Sequence, residues 1–209
     1  MLKVAMKTIG LMQENVYVVY NEKNEALVFD PGAQGKILID WIETNHWQPL
    51  AILLTHCHFD HIGALDQLRD HFKVPVYVHS NEADFFDQPV NNLSYMLPEP
   101  LTQRKADHIW SQMGQQEVKG FTFTVKHTPG HSPGSVIYIF EEDEFVISGD
   151  LVFAGSIGRT DLPNADYKVL MESVRKEIMP LPGSFLLHPG HGSSTLVAEE
   201  LATNPFLRS

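Results

Sequence analysis

The stretch Thr55-His56-Cys57-His58-Phe59-Asp60-His61 places four potential metal ligands within six residues, directly after the apolar run Leu50-Ala51-Ile52-Leu53-Leu54. The apolar run reads as a buried strand and Gly63-Ala64-Leu65-Asp66-Gln67-Leu68-Arg69 has helical spacing, so the ligands occupy a strand-to-helix loop. Loops at strand ends are where catalytic groups concentrate. In an extended segment side chains alternate, so His56, His58 and Asp60 point one way while Cys57 and Phe59 point the other, toward packing. His61 follows as the chain turns into the helix and approaches from a different direction, which points to two metals rather than one. Imidazole and carboxylate both suit a borderline divalent cation such as zinc, and no thiolate is required. Chance spacing of surface histidines accounts for one such pair but poorly for a set this dense.

Three further segments combine a potential ligand with glycine or proline at a turn. Thr128-Pro129-Gly130-His131-Ser132-Pro133-Gly134 sets His131 in a tight turn after the alternating strand Phe121-Thr122-Phe123-Thr124-Val125. Phe145-Val146-Ile147-Ser148-Gly149-Asp150 ends an apolar strand in a carboxylate whose two oxygens could bridge a metal pair, although a lone Asp at a strand end is usually a turn former. Phe185-Leu186-Leu187-His188-Pro189-Gly190-His191-Gly192 offers two histidines. His191, past the turn and between glycines, is the favoured ligand; His188 still belongs to the strand and reads as a packed core histidine.

These segments resemble the metallo-β-lactamase fold superfamily and, within it, the short bacterial glyoxalase II-like (hydroxyacylglutathione hydrolase-like) thioester hydrolases. The resemblance runs nearly end to end, through Val28-Phe29-Asp30-Pro31-Gly32, the THCHFDH block, the TPGHSPGS turn, SGDLVF, GSIGRTD and the final PGHG. It implies a four-layer αββα sandwich of two facing sheets with helices outside. It also implies one metal held by His56, His58 and His131, a second by Asp60, His61 and His191, and Asp150 bridging them. All seven positions carry the expected residue types. The implied cofactors are two divalent ions, zinc in the first place, with iron or manganese accepted by the same ligands. A β-lactamase proper is the weaker reading, since His61 with Asp150 at a strand end fits the hydrolase pattern better.

Length and composition agree with one compact α/β hydrolase domain over residues 1–209. The N-terminal Met1-Leu2-Lys3-Val4-Ala5-Met6-Lys7 is strand-like and lacks the apolar core of a secretion signal, and no run is long enough to span a membrane. A single cysteine makes no internal disulfide and fits a reducing cytoplasm, which is the expected location. A formal charge of −11 disfavours phosphate backbones, so nucleic acid is not an expected partner.

Strands are predicted near 2–9, 15–20 and 25–30, with Asn21-Glu22-Lys23-Asn24-Glu25 as the hairpin turn. A helix over Ile37–Ile42, a strand near 50–54, a helix near 63–72 and a strand at Val76-Tyr77-Val78 follow as a βαβ-like unit. Residues 81–116 carry Pro89, Pro98 and Pro100 and read as a short helix near 81–87 and then an irregular covering loop, lid or plain packing. The last third reads as strands near 135–140 and 144–148, a helix near 165–178, a strand near 184–187 and a helix near 194–202.

Two adjacent metals imply the chemistry: water whose pKa falls from ~15.7 to roughly 7 supplies a metal-bridging hydroxide that attacks an acyl carbon. A thiol of pKa ~8.5 leaves far more readily than an amine, so a small-molecule thioester such as S-lactoylglutathione suits the site. Asp60 and Asp150 are the catalytic carboxylates, Asp60 orienting the nucleophile through its second oxygen or acting as a ligand alone. In the resembled family a basic residue of the GSIGRTD loop contacts glutathione; Arg159 is the matching residue, set evenly against the alternative that it pairs with Asp161 and braces the loop. Full-length glyoxalase II enzymes carry a helical C-terminal extension that this chain lacks after Asn204-Pro205-Phe206-Leu207, which leaves the thiol carrier open. Asp30 is either an acceptor for a ligating histidine or a turn former. His46, His71, His79, His108 and His127 lie outside any ligand pattern, and Phe85, Phe86, Tyr95 and Trp110 read as packing before cleft lining. The competing readings are an iron persulfide dioxygenase using the equivalents of His56, His131 and Asp150, a metal-binding protein without turnover, and a lactonase or nuclease of the same fold.

Overall fold

The computed structural model describes residues 1–208. The chain is mixed α/β, as the alternation of strands and helices predicts, and divides into two compact units, Met1–Ser111 and Gln112–Ser209. Each carries one six-stranded sheet.

In the first unit β1 (Lys3–Ile9), β2 (Glu14–Tyr20) and β3 (Glu25–Phe29) form an antiparallel meander. The turn expected at 21–25 closes it, with Asn21 Oδ1 accepting the amides of Lys23 and Glu25. From β3 onward the sheet is parallel, through β4 (Gln48–Leu53), β5 (Val76–His79) and β6 (His108–Trp110). Parallel neighbours require crossovers. The first is α1 (Gly35–Thr44), whose Leu38 and Ile42, one turn apart, are fully buried while Ile37 faces solvent. The second contains α2 (Phe59–Ile62) and α3 (Leu65–Phe72), the latter burying Leu65 and Leu68. The predicted helix over 63–72 is therefore the second of two, broken at Gly63 and Ala64.

Residues 81–116 depart furthest from expectation. In place of a helix near 81–87 there are 3₁₀ turns at Ser80–Glu82 and Phe85–Asp87, with a third at Ser94–Met96. The segment ends in two strands the sequence did not reveal, β6 and the first strand of the next unit, β7 (Gly114–Val118). Its irregular part is tied down by buried Asn92, whose amide donates to the carbonyls of Phe85 (3.0 Å) and Leu101 (3.3 Å) and whose Oδ1 accepts from Ser94 N. The Asn92 carbonyl accepts the Phe59 amide at 2.8 Å, so this segment helps fix the ligand loop.

In the second unit β7, β8 (Phe121–His127), β9 (Val136–Phe140) and β10 (Phe145–Gly149) run antiparallel. On β8 Phe121, Phe123 and Val125 are buried, the period-two face the sequence shows. A small hairpin of β11 (Val152–Phe153) and β12 (Ser156–Ile157) precedes α4 (Tyr167–Ser173), which Asp166 caps by accepting the amides of Lys168 and Val169. The predicted helix over 165–178 is this shorter α-helix continued by a π-helical turn, Val174–Ile178. Strand β13 (Leu186–Pro189) lies parallel to β10, β14 (Thr195–Leu196) pairs back on β13, and α5 (Val197–Thr203) follows. Buried Glu200 accepts from Gly155 N (2.9 Å), Thr195 Oγ1 (2.7 Å) and Asn204 Nδ2 (2.7 Å), locking the β11–β12 turn to α5.

The two faces of α1 give a test. Leu38→Ala is expected to cost about 2–5 kcal/mol through lost burial and the cavity left behind, and Ile37→Ala less than about 0.5 kcal/mol. Urea denaturation of both variants measures the difference; equal losses would refute the assignment of the buried face.

Candidate metal centre

Parallel pairing places the ligand loop of the first unit. The ends of β3 and β4 are neighbours, with Asp30 N donating to Leu53 O, so Asp30 emerges beside the loop that begins at Thr55. Its carboxylate is buried and accepts three bonds: from Thr55 N at 2.7 Å, Thr55 Oγ1 at 2.6 Å and His61 Nδ1 at 3.1 Å. Because the Thr55 hydroxyl proton is committed to Asp30, Thr55 Oγ1 accepts from His56 Nδ1 at 3.0 Å. Both rings therefore carry their proton on Nδ1, so Nε2 is the nitrogen with a lone pair to offer a metal.

The sequence-predicted ligands of this unit do converge. The His56 ring centroid lies 4.6 Å from that of His58 and 4.0 Å from that of His61. A ring nitrogen of His61 lies within 4.8 Å of an Asp60 carboxylate oxygen. Two glycines allow the approach. A Cβ at Gly32 would stand 1.5 Å from Asp60 O, and one at Gly63 2.2 Å from Gly32 O. Cys57 points away, fully buried, and burial together with the nearby Glu82 charge pushes its thiol well above the ordinary range. It is no thiolate ligand.

Two residues the sequence did not single out complete this surround. Glu14, at the start of β2, is buried with Oε1 3.9 Å from His61 Nδ1. Glu82, fully buried, accepts the Cys57 amide at 2.5 Å and so fixes the backbone between His56 and His58. Neither left a sequence signal: Glu14 stands between Gln13 and Asn15 ahead of the apolar run, and Glu82 lies in the irregular segment after β5.

The second unit gathers His131, Asp150 and His191 at one sheet edge. Asp150 leaves the end of β10 and His191 follows the end of the parallel strand β13, where Gly190 N donates to Gly149 O at 2.9 Å. Asp150 Oδ2 lies 3.4 Å from His131 Nε2 and 3.6 Å from His191 Nε2. His131 donates from Nδ1 to the Arg159 carbonyl at 2.9 Å, which again makes Nε2 the nitrogen that a metal would engage. The β11–β12 hairpin supplies that carbonyl by returning the chain against Asp150, and a Cβ at Gly158 would meet Asp150 O at 1.9 Å. Gly130, at φ +133°, admits Leu170 where a Cβ would clash at 2.2 Å with its amide nitrogen.

The remaining candidates sort as follows. His188 is buried, bonded through Nδ1 to Ser194 Oγ at 2.8 Å, packed edge-on against Phe145 and pulled down by burial to about 4. Arg159 forms a two-pronged exposed pair with Asp161, Nε–Oδ1 2.8 Å and Nη2–Oδ2 2.9 Å. His71 pairs with Glu43 on the surface, and His127 Nε2 donates to the Pro133 carbonyl across the neck of the His131 loop.

The donor chemistry fits divalent metal. Three histidines are held in the Nδ1-protonated form by acceptors behind them, carboxylates stand among them, and among the described residues no Lys or Arg is buried to neutralise Glu14, Asp30 and Glu82.

The model of the metallo-beta-lactamase superfamily matches residues 9–200. Hydroxyacylglutathione hydrolase GloC of Haemophilus influenzae is 35% identical over 212 residues, spanning 100% of this chain and 99% of its own. Among solved structures, BLEG-1, described as a B3 metallo-beta-lactamase, is 44% identical with a TM-score of 0.97 over 99% of this chain and 100% of its own. TTHA1623, solved in a di-iron-bound form, is 37% identical with a TM-score of 0.87 over 97% of this chain and 100% of its own.

Asp30→Ala removes the acceptor of His61 and the anchor of Thr55. Competition against a chelator is expected to show metal affinity about 10–100-fold weaker, and unchanged affinity would reduce Asp30 to a turn former. His188 gives a pH test. Its folded value of about 4 lies below the ordinary 6.5, so the stability it contributes is present above 6.5 and lost as pH falls from 6.5 toward 4. The loss is on the order of 2–3 kcal/mol at most. The stability difference between pH 7 and pH 4.5 should shrink in His188→Asn, as read by urea midpoints.

Proposed function

Because the chain belongs to the metallo-β-lactamase superfamily, we propose that it is a dinuclear zinc hydrolase of thioesters, with S-acylglutathiones such as S-lactoylglutathione as the substrate class and the cytoplasm as its location. The observation that carries the metal reading is the set of Nδ1-anchored histidines, and the full-length likeness to GloC supports the thioester. The two units are read as one catalytic domain, a reading supported by a family match that runs through both.

In this proposal His56, His58 and His131 hold one ion, Asp60, His61 and His191 the other, and Asp150 bridges them. The position of Asp150 Oδ2 between His131 and His191, one residue of each set, supports the bridge. Bound there, the two ions supply a water ionised near neutral pH and an electrophile for the acyl oxygen. The chain's own residues orient and position. Asp60 would orient the attacking hydroxide through its second oxygen or act as a ligand alone, and Asp30 and Thr55 keep His61 and His56 from rotating. The Arg159 carbonyl does the same for His131. No acid is required for the leaving group, because a thiol of pKa ~8.5 departs as thiolate. Arg159 is proposed to meet a substrate carboxylate by exchanging its partner Asp161, both groups being well exposed.

β-Lactam hydrolysis is the second reading, favoured by the likeness to BLEG-1. Metal content and two assays on one preparation decide. About two zinc ions per chain with S-lactoylglutathione hydrolysis at least about tenfold above that of a cephem, in kcat/KM, supports the thioesterase. The reverse ratio favours the lactamase. One iron per chain with oxygen consumption on glutathione persulfide, and no thioester cleavage, moves the protein to the dioxygenases. His131→Ala should abolish turnover while leaving the fold, by circular dichroism, intact. Arg159→Ala should raise KM for carboxylate-bearing thioesters with kcat little changed; unchanged KM assigns Arg159 to bracing alone.

A further inference from the structure

A cleft of about 470 Å³ opens within the first unit beside Asp60. This lies in the range of small-molecule sites, roughly 300–1,000 Å³. Its walls are Ile9 at the end of β1, Leu11 and Met12 from the turn to β2, Ala33 from the loop after β3, Phe59 from the candidate ligand loop, and Leu97. The charged groups on its lining are Glu14 and Asp60, with no Lys, Arg or His among them.

We propose that this cleft binds an apolar acyl chain, so that the thioester hydrolysed at the neighbouring metal centre carries a medium-length aliphatic acyl group, favoured over lactoyl. The inference rests on the hydrolase reading and deepens it.

Three observations carry it. First, the exposed apolar side chains are held out by polar bonds that lie elsewhere. Leu11 is fully exposed and Met12 about half exposed, while the turn beneath them is fixed by Gln13 Nε2 donating to Gly10 O (2.8 Å) and Gly10 N donating to Gln34 Oε1 (3.1 Å). Gly10, at φ +66°, lets this turn approach the Ala33 loop, where a Cβ would come to 3.0 Å from Ala33 Cβ. Apolar side chains flanking one cleft mark a ligand or partner site more often than scattered ones do. Second, charge decides which half of the thioester enters. The lining offers no Lys, Arg or His to pair with the free carboxylates of a carrier such as glutathione, whereas its apolar walls suit an uncharged alkyl chain. Third, Asp60 belongs both to the lining and to the candidate ligands, so the carbonyl end of a chain seated here lies at the metal centre.

The zinc-loaded protein is assayed with acetyl, butyryl, octanoyl and lactoyl thioesters of glutathione. Transfer of about 0.8 kcal/mol per buried methylene predicts kcat/KM rising by roughly two- to fourfold per carbon over the first few carbons, with octanoyl well above lactoyl. In a Leu11→Ser/Met12→Ser variant the octanoyl-to-acetyl ratio should fall at least about fivefold. A flat or falling profile in an active enzyme overturns the inference and leaves the hydrolase standing, and so does a rising profile that the variant does not change. Binding of neutral octanamide, followed by saturation-transfer NMR, separates the two readings. Octanamide bound in the cleft, lost in the variant, with no thioester cleaved, retains the apolar site and sinks the hydrolase. Neither binding nor chain-length preference removes the site.

Discussion

Asp30 accepts three hydrogen bonds from the loop that follows β4, and these bonds decide how two candidate ligands are presented. A histidine on a loop rotates about two side-chain bonds and exchanges its proton between two nitrogens. Asp30 removes both freedoms from His61 directly and from His56 through Thr55. Its own backbone sits at φ +49°, a left-handed conformation that Asp tolerates better than most residues. The parallel pairing of β3 with β4 is what brings this turn against the ligand loop, so the sheet order and the ligand geometry are one construction.

The second unit solves the same problem with backbone. The His131 ring is held by the carbonyl of Arg159, delivered by the β11–β12 hairpin, and that hairpin is in turn pinned to α5 by Glu200. A main-chain acceptor cannot be removed by substituting a side chain, and its position depends on Gly158, where any Cβ would collide with Asp150 O. The conspicuous GSIGRTD segment thus has a structural reason for its glycines that is separate from any contact Arg159 makes with substrate.

This explains what could be read from the sequence and what could not. The candidate ligands were legible because the pattern is local: His56, His58, Asp60 and His61 crowd one short run after an apolar strand, and His131, Asp150 and His191 each follow a glycine at a turn. His188 was separable from His191 for the same reason, being inside β13 while His191 lies beyond it. The groups behind the ligands were not legible, since Glu82 meets Cys57 across 25 positions of sequence and Arg159 meets His131 across 28. Strand β6 has three residues with only Trp110 buried, and β7 is largely polar, so neither shows the apolar alternation that marks a strand. The π-helical turn after α4 is a shift in hydrogen-bond register, which leaves no compositional trace.

Charge connects the ligand loop to stability. The first unit buries Glu14, Asp30 and Glu82, and no Lys or Arg is buried anywhere among the described residues. A buried carboxylate is tolerable only with hydrogen bonds and compensating charge. The bonds come from the amides of Thr55 and Cys57, the Thr55 hydroxyl and the His61 ring, all within the ligand loop itself. These donors are neutral, so they spread the negative charge without cancelling it. In the proposed metal site, positive charge bound on the Nε2 side of His56 and His61 would offset it through the rings beside the acids. Asp30 and Glu82, which hold the loop in place, would then themselves be stabilised by what the loop binds, linking metal occupancy to the folding of this loop.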